Sequence, residues 1–129
     1  MRLLLDTHLV LWAVAMSTRL PAKARELFED ASNEIYCSAA SLWEIAIKSA
    51  LRRADFDVDL RLLRAALPEM AILELPVDGR HIERLATLPP IHKDPFDRLL
   101  IAQALAEPLV LLTSDATLAA YGEGVLVVE

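Results

Sequence analysis

Apolar residues along the chain come in short blocks, separated by segments whose apolar positions recur every three or four residues. Arg2 to Asp6 is an apolar run ending in a carboxylate, which predicts a short strand buried on both faces. Residues 8–15 continue as an apolar helix, and Pro21 opens a second helix through about Ser32, with Ala24, Leu27 and Phe28 on one face. Glu34 to Cys37 is a second strand, followed by a helix capped by Ser38 or Ser41 and running to about Arg53. Residues 54–58 read as a loop. Asp59 then caps a helix carrying Leu60, Leu63 and Leu67, perturbed near its end by Pro68. Ile72 to Leu75 is a third strand, and Asp78 caps a helix to about Leu88 that carries Ile82, Leu85 and Ala86.

Pro89 to Lys93 reads as a stiff extended connector. Asp94-Pro95 opens a strongly apolar helix, Phe96 to Ala106, which Pro108 ends. Leu109 to Thr113 is a fourth strand, Asp115 starts a short helix that Gly122 and Gly124 terminate, and Val125 to Val128 is a last strand. Strands that alternate with helices, and are apolar without clear alternation, predict a parallel sheet covered on both faces. The expected fold is a three-layer α/β/α sandwich of about five strands, forming one domain over residues 1–129.

Composition narrows the function. One cysteine, Cys37, excludes an internal disulfide framework and a multi-cysteine zinc site, and its apolar setting predicts an inert buried thiol. No apolar run reaches the ~20 residues of a membrane span, and Asp6 interrupts the only early apolar run, so a cytoplasmic protein with no membrane contact is expected. A net charge of −6 opposes nucleic-acid binding, yet carboxylates gathered around divalent cations reverse the local field. The basic residues also cluster, as Lys48, Arg52, Arg53, Arg61 and Arg64, then Lys93 and Arg98.

Four carboxylates stand out. In an open parallel sheet, ligands bind beyond the carboxyl ends of the strands. Asp6 ends the first strand, Asp115 follows the fourth, and Glu44 lies early in the helix after the second. Asp97 sits near the start of a helix whose end the 89–94 connector can bring to the same edge. Asp115 and Asp94 also suit helix caps, and Glu44 suits an i,i+4 pair with Lys48, so structural readings stand beside functional ones. A carboxylate cluster stays ionised only with cations present, and hard oxygen donors select Mg²⁺ or Mn²⁺. Such ions serve phosphodiester hydrolysis.

His8, His81 and His92 lack ligand spacing, although His8 is close to Asp6, and Trp12 and Trp43 read as core anchors. No glycine-rich phosphate loop and no G-x-S-x-G motif is present.

These segments resemble PIN domains. Leu3-Leu4-Leu5-Asp6-Thr7-His8 is similar to their opening strand, and Ser38 to Ile45 to the segment holding their conserved Glu. His92-Lys93-Asp94-Pro95-Phe96-Asp97-Arg98 through Ala104 resembles the third-Asp helix of the VapC toxin branch, and Leu112-Thr113-Ser114-Asp115 the fourth acidic segment. The resemblance implies a Mg²⁺- or Mn²⁺-dependent endoribonuclease, the toxin of a type II toxin–antitoxin pair. It also implies a homodimer, an RNA substrate, and inhibition by a cognate antitoxin lying over the active site. Carried onto this chain, Asp6, Glu44 and Asp97 are the core metal-binding carboxylates, with Asp115 in support. Thr7 and Ser114 are candidate hydroxyl contacts to them, and Asp94 is expected to cap its helix.

Other readings remain open: a PIN-like module that only binds RNA or protein, a DNA nuclease, or an acidic-pocket fold phosphorylated on Asp6. Against the last, His8 stands where haloacid-dehalogenase enzymes place a second Asp, and no lysine follows Arg98 as a receiver domain expects.

Overall fold

The computed structural model describes all 129 residues. Five parallel strands form one sheet: β1 (Arg2–Leu5), β2 (Glu34–Ser38), β3 (Ile72–Leu75), β4 (Val110–Thr113) and β5 (Val125–Val127). Their order is β3-β2-β1-β4-β5. The chain winds outward from β1 to β3, then returns past β1 to build β4 and β5. That reversal creates a topological switch point between β1 and β4.

Six α-helices cover the sheet: α1 (Thr7–Val14), α2 (Ala22–Glu29), α3 (Ala39–Ala50), α4 (Leu60–Glu69), α5 (Gly79–Ala86) and α6 (Pro95–Ala106). Two cores result, one on each face. Leu3 and Leu5 of β1 join Leu9, Val10, Leu27, Ile45, Leu63 and Leu67 from α1 to α4. Leu4 points the other way and joins Leu99, Leu100 and Ile101 of α6 with Leu111 of β4. The strands thus alternate faces, but both faces are apolar, which is why the sequence shows unbroken leucine runs.

Local chemistry sets the helix ends. α2 stops at Glu29 rather than Ser32, because Asp30 turns extended and its Oδ1 accepts from the Ser32 N–H at 2.9 Å. Between the two possible caps of α3 it is Ser38 that acts, accepting from the Ala40 N–H, and the helix ends at Ala50. Arg52 then takes a left-handed φ of 55°. α5 ends at Ala86, two residues early. The loop after α3 contains a 3-10 turn, Ala54–Phe56, that buries Phe56 in the core. The helix after Asp115 is likewise a 3-10 stretch, Ala116–Tyr121.

The 89–93 connector is bent and pinned, not extended. Ile91 N–H donates to Pro89 O at 2.8 Å, and that carbonyl also accepts from Arg98 Nη1 and the Tyr121 hydroxyl. Tyr121 in turn accepts the His92 N–H at 2.9 Å. Trp43, expected in the core, is 58% exposed and meets Phe96 edge-on at 5.0 Å. It continues along α3 as an apolar stripe with Ile47 and Leu51, each one turn further on. Trp12 packs partly against the first core.

Cys37 is fully buried, and burial pushes its thiol up to about 12, in keeping with an inert residue. No helix is long and apolar enough to cross a membrane.

Leu4 contacts the second core from the central strand with no exposure. Leu4→Ala is expected to cost about 2–5 kcal/mol in urea unfolding, through lost burial and the cavity left behind.

Candidate active site

Beyond the carboxyl ends of β1 and β4 lies a cleft of about 290 Å³, and Asp6, Glu44, Asp97 and Asp115 all line it. Ser114 and Asp94 line it as well. The four carboxylates come from four separate segments, and the switch point gathers them at one edge.

Asp6 follows β1 and occupies the N-cap position of α1, but its side chain makes no capping bond. Its carboxylate is turned to the cleft instead. The β1–β4 register pairs Leu5 with Leu112, so the next residues, Asp6 and Thr113, face each other. Thr113 Oγ1 donates to Asp6 Oδ2 at 2.6 Å. Burial raises the Asp6 carboxyl above its ordinary range, opposed by this bond, by His8 and by the Thr7 N–H, while Glu44 pushes it further up.

Glu44 is buried in α3. Thr7 Oγ1 donates to its Oε1 at 2.7 Å and lies 2.9 Å from Ser41 Oγ, whose hydroxyl can donate back. Lys48, one turn on, reaches Oε2 at 2.5 Å. The i,i+4 pair foreseen as a structural alternative therefore exists within the cleft itself.

Asp97 lies in the first turn of α6. Asp94 caps that helix as expected, with Oδ1 accepting from the Phe96 and Asp97 N–H groups. Burial first, then the charges of Asp6 and Asp94, push the Asp97 carboxyl up to about 7, with His92 acting in the opposite direction. His92 Nε2 lies 2.9 Å from Asp97 Oδ2, so the histidine that had no ligand spacing in the sequence touches a site carboxylate in the fold.

Asp115 caps the 3-10 stretch, Oδ1 accepting from Thr117 N–H and from its hydroxyl, and those bonds hold its carboxyl below the usual range. Capping and lining the cleft are compatible, because only one oxygen is used.

Sequence reading missed Thr113, Ser41, His92 and Arg19. Arg19 lines the cleft with its guanidinium 5.0 Å over the Trp12 ring and 3.5 Å from Asp55. Of the two expected hydroxyls, Thr7 contacts Glu44, whereas the hydroxyl on Asp6 belongs to Thr113 rather than Ser114. Strand register would have found Thr113, and His92 opens the segment that resembles the third-Asp helix, but no sequence signal marks Arg19.

His81 has a different environment. Its Nδ1 accepts the Asp78 N–H at 3.0 Å and its Nε2 meets Glu107 at 2.5 Å, while Arg80 holds the same carboxylate. Both nitrogens of this buried ring are occupied, by partners that reach the surface.

The cleft's donor set fits a hard divalent cation. Its oxygens are carboxylates, burial leaves them short of positive charge, and Lys48 neutralises only one of them. A parallel α/β sheet with an acidic, cation-suited cleft at its switch point defines the class. The PIN domain family model matches residues 3–124, and the chain belongs to that family.

Comparison with curated proteins gives no significant sequence match. Among solved structures, the chain is similar to VapBC2 from Rickettsia felis bound to a DNA fragment from their promoter. The TM-score is 0.69 at 14% identity, covering 98% of this chain and 97% of that one. VapBC-1 from nontypeable Haemophilus influenzae gives 0.63 at 15% identity, covering 94% and 92%. FitAcB from Neisseria gonorrhoeae gives 0.61 at 18% identity, covering 96% of both chains. At these identities the likeness is one of fold.

The raised carboxyls carry a pH consequence. Asp97 titrates near 3.8 when unfolded and about 7 when folded, so the fold favours its neutral form. Its stabilisation is complete below pH 3.8 and is lost as pH rises through about 7, and Asp6 acts in the same direction. In EDTA the melting temperature should fall by roughly 5 °C between pH 5 and 8, a decline that Asp97→Asn flattens. Scanning calorimetry across that range checks it.

Proposed function

We propose that the chain is a metal-dependent endoribonuclease and the toxin component of a type II toxin–antitoxin pair. One observation carries this reading: four carboxylates from four segments line one cleft at the sheet's switch point. Its membership of the PIN family supports nuclease chemistry, and the VapBC and FitAcB neighbours support the toxin–antitoxin assignment.

Asp6, Glu44 and Asp97 would hold Mg²⁺ or Mn²⁺, with Asp115 in support. A bound cation there supplies charge for the phosphate oxygens and lowers the pKa of the attacking water. The chain's own residues do the positioning. Thr113 fixes one Asp6 oxygen, Thr7 fixes one Glu44 oxygen, and the Asp94 cap holds the first turn that carries Asp97. Lys48 and Arg19 place positive charge on the cleft wall, where a polyanion enters. Hydrolysis by water leaves a 5′-phosphate and a 3′-hydroxyl.

The antitoxin's apolar side chains have a seat beside α1 and α2. A groove of about 330 Å³ is lined by Ala13, Met16, Leu20, Phe28 and Met70, with Arg25 and Glu29 at its polar side and Met16 87% exposed. For a homodimer, the α3 stripe of Trp43, Ile47 and Leu51 is the apolar surface that self-association would cover. Ile47→Glu, introducing a charge at the centre of that stripe, should convert a dimer to monomer in analytical ultracentrifugation. An unchanged sedimentation coefficient would place the interface elsewhere.

Activity is tested with the purified, partner-free chain and total cellular RNA in EDTA, Mg²⁺ or Mn²⁺. Discrete fragments with 5′-phosphate ends are expected, dependent on metal and absent from Asp97→Asn. Fragments ending in a 2′,3′-cyclic phosphate, or cleavage that survives the substitution, would refute the assignment. Loss of one site carboxylate should lower the rate by at least about 10²-fold.

A further inference from the structure

The four carboxylates do not exhaust the donors at the cleft. His92 Nε2, a carboxylate oxygen of Asp97 and one of Asp115 all lie within 4.8 Å of one another, and the first two are 2.9 Å apart. Bonds of about 2.1 Å to an octahedral ion put neighbouring donors about 3 Å apart and opposite ones about 4.2 Å apart. The His92–Asp97 pair therefore has the spacing of neighbouring ligands, and Asp115 is near enough for one ion to draw the three together. The His92 backbone is also held in place. Tyr121 accepts the His92 N–H at 2.9 Å, Arg98 Nη1 lies 3.5 Å from the His92 carbonyl, and both side chains also bond Pro89 O. A histidine on a solvated loop would have no such clamp. Asp115 keeps one oxygen available, because Thr117 occupies the other.

We propose that His92 is a nitrogen ligand, joining Asp97 and Asp115 in a mixed nitrogen–oxygen donor set that makes the cleft select Mn²⁺ over Mg²⁺. The inference rests on the reading of this cleft as a divalent-cation site and adds a donor and a selectivity to it. Mn²⁺ gains less from imidazole than the later first-row ions do, but more than Mg²⁺, which prefers oxygen and gives up its water reluctantly. An all-carboxylate site would bind the two ions through the same atoms. Here the imidazole gives Mn²⁺ one additional bond that Mg²⁺ has little use for. The rival role for His92 is to orient Asp97 by hydrogen bonding without touching the ion.

Pulsed EPR of the full chain loaded with Mn²⁺ separates these roles, because directly bound ¹⁴N modulates the electron spin echo. Wild type should show ¹⁴N modulation, wild type made with ¹⁵N-histidine should show the ¹⁵N pattern, and His92→Gln should show neither. The Gln variant retains a hydrogen-bonding side chain toward Asp97, and its melting curve in EDTA checks the fold. By isothermal titration it should bind Mn²⁺ roughly 10- to 100-fold more weakly, with Mg²⁺ affinity held within about 3-fold. Should that variant not fold, ¹⁵N-histidine-labelled His8→Gln decides the question, because its ¹⁵N modulation persists only if His92 is the ligand.

Manganese bound without nitrogen modulation overturns the proposal, leaving His92 as an orienting group. Modulation that persists in His92→Gln also overturns it, since His8 lines the same cleft and would then be the source. Equal loss of Mn²⁺ and Mg²⁺ affinity overturns the selectivity. A wild type that binds neither ion removes the divalent-cation reading itself, a failure distinct from the other three.

Discussion

The structure depends on a carboxylate placed where a carboxylate is costly. Asp6 follows three fully buried leucines on the central strand and is itself buried, so its charge is taken out of water and compensated only by neighbours. Thr113 donates to it across the strand pair, the start of α1 offers its backbone, and His8 adds favourable charge. Glu44 and Asp97 then bring further negative charge toward the same crevice. Hydroxyls, helix ends and the single Lys48 on Glu44 do not balance three carboxylates in one cleft, so the Asp97 carboxyl is pushed up to about 7. A bound cation would resolve this conflict.

Topology explains why the conflict is located here and nowhere else. Winding outward from β1 and then returning to β4 leaves the carboxyl ends of those two strands adjacent, with no connection crossing between them. Residues 6 and 115 are far apart in the chain but meet at that gap. α3 and α6 enter with their N-terminal portions at the same edge, which brings Glu44 and Asp97 to it. Each helix start is capped by a residue chosen for the purpose, Ser38 and Asp94, so the presentation of both carboxylates follows from ordinary capping chemistry.

The fold was largely legible because its physics is local. Leucine runs such as residues 3–5 can only be doubly buried strands in a chain with this many amphipathic helices, and every strand lies where the apolar blocks are. Residues that act through their own segment were readable too: Asp6 at a strand end, Glu44 among apolar neighbours, and Asp94 before Pro95. Contacts made through tertiary structure were not. Thr113 matters because of strand register, and His92 because Arg98 and Tyr121 bend a connector that its prolines suggested would be straight. Trp43 misled for a related reason. Its helix is apolar nearly all round, and only the packed structure shows that the Leu42 and Ile45 side is buried while Trp43 is exposed.

Charge in the folded molecule also bears on how a chain of net charge −6 would meet the polyanion of the proposed function. Three of the seven clustered basic residues noticed in the sequence are already engaged. Lys48 pairs with Glu44, Arg64 with Glu74, and Arg98 donates to carbonyls of the connector. Arg19, outside that cluster, is the guanidinium at the cleft, and its stacking on Trp12 and its pair with Asp55 keep it there. One arginine and one lysine paired with Glu44 cannot outweigh the five carboxylates that line the cleft, so on the proposed function attraction of a phosphate backbone would come mainly from bound cations. On that reading substrate binding and cation binding would be a single linked equilibrium, with affinity for nucleic acid following occupancy of the metal site rather than the general charge of the surface.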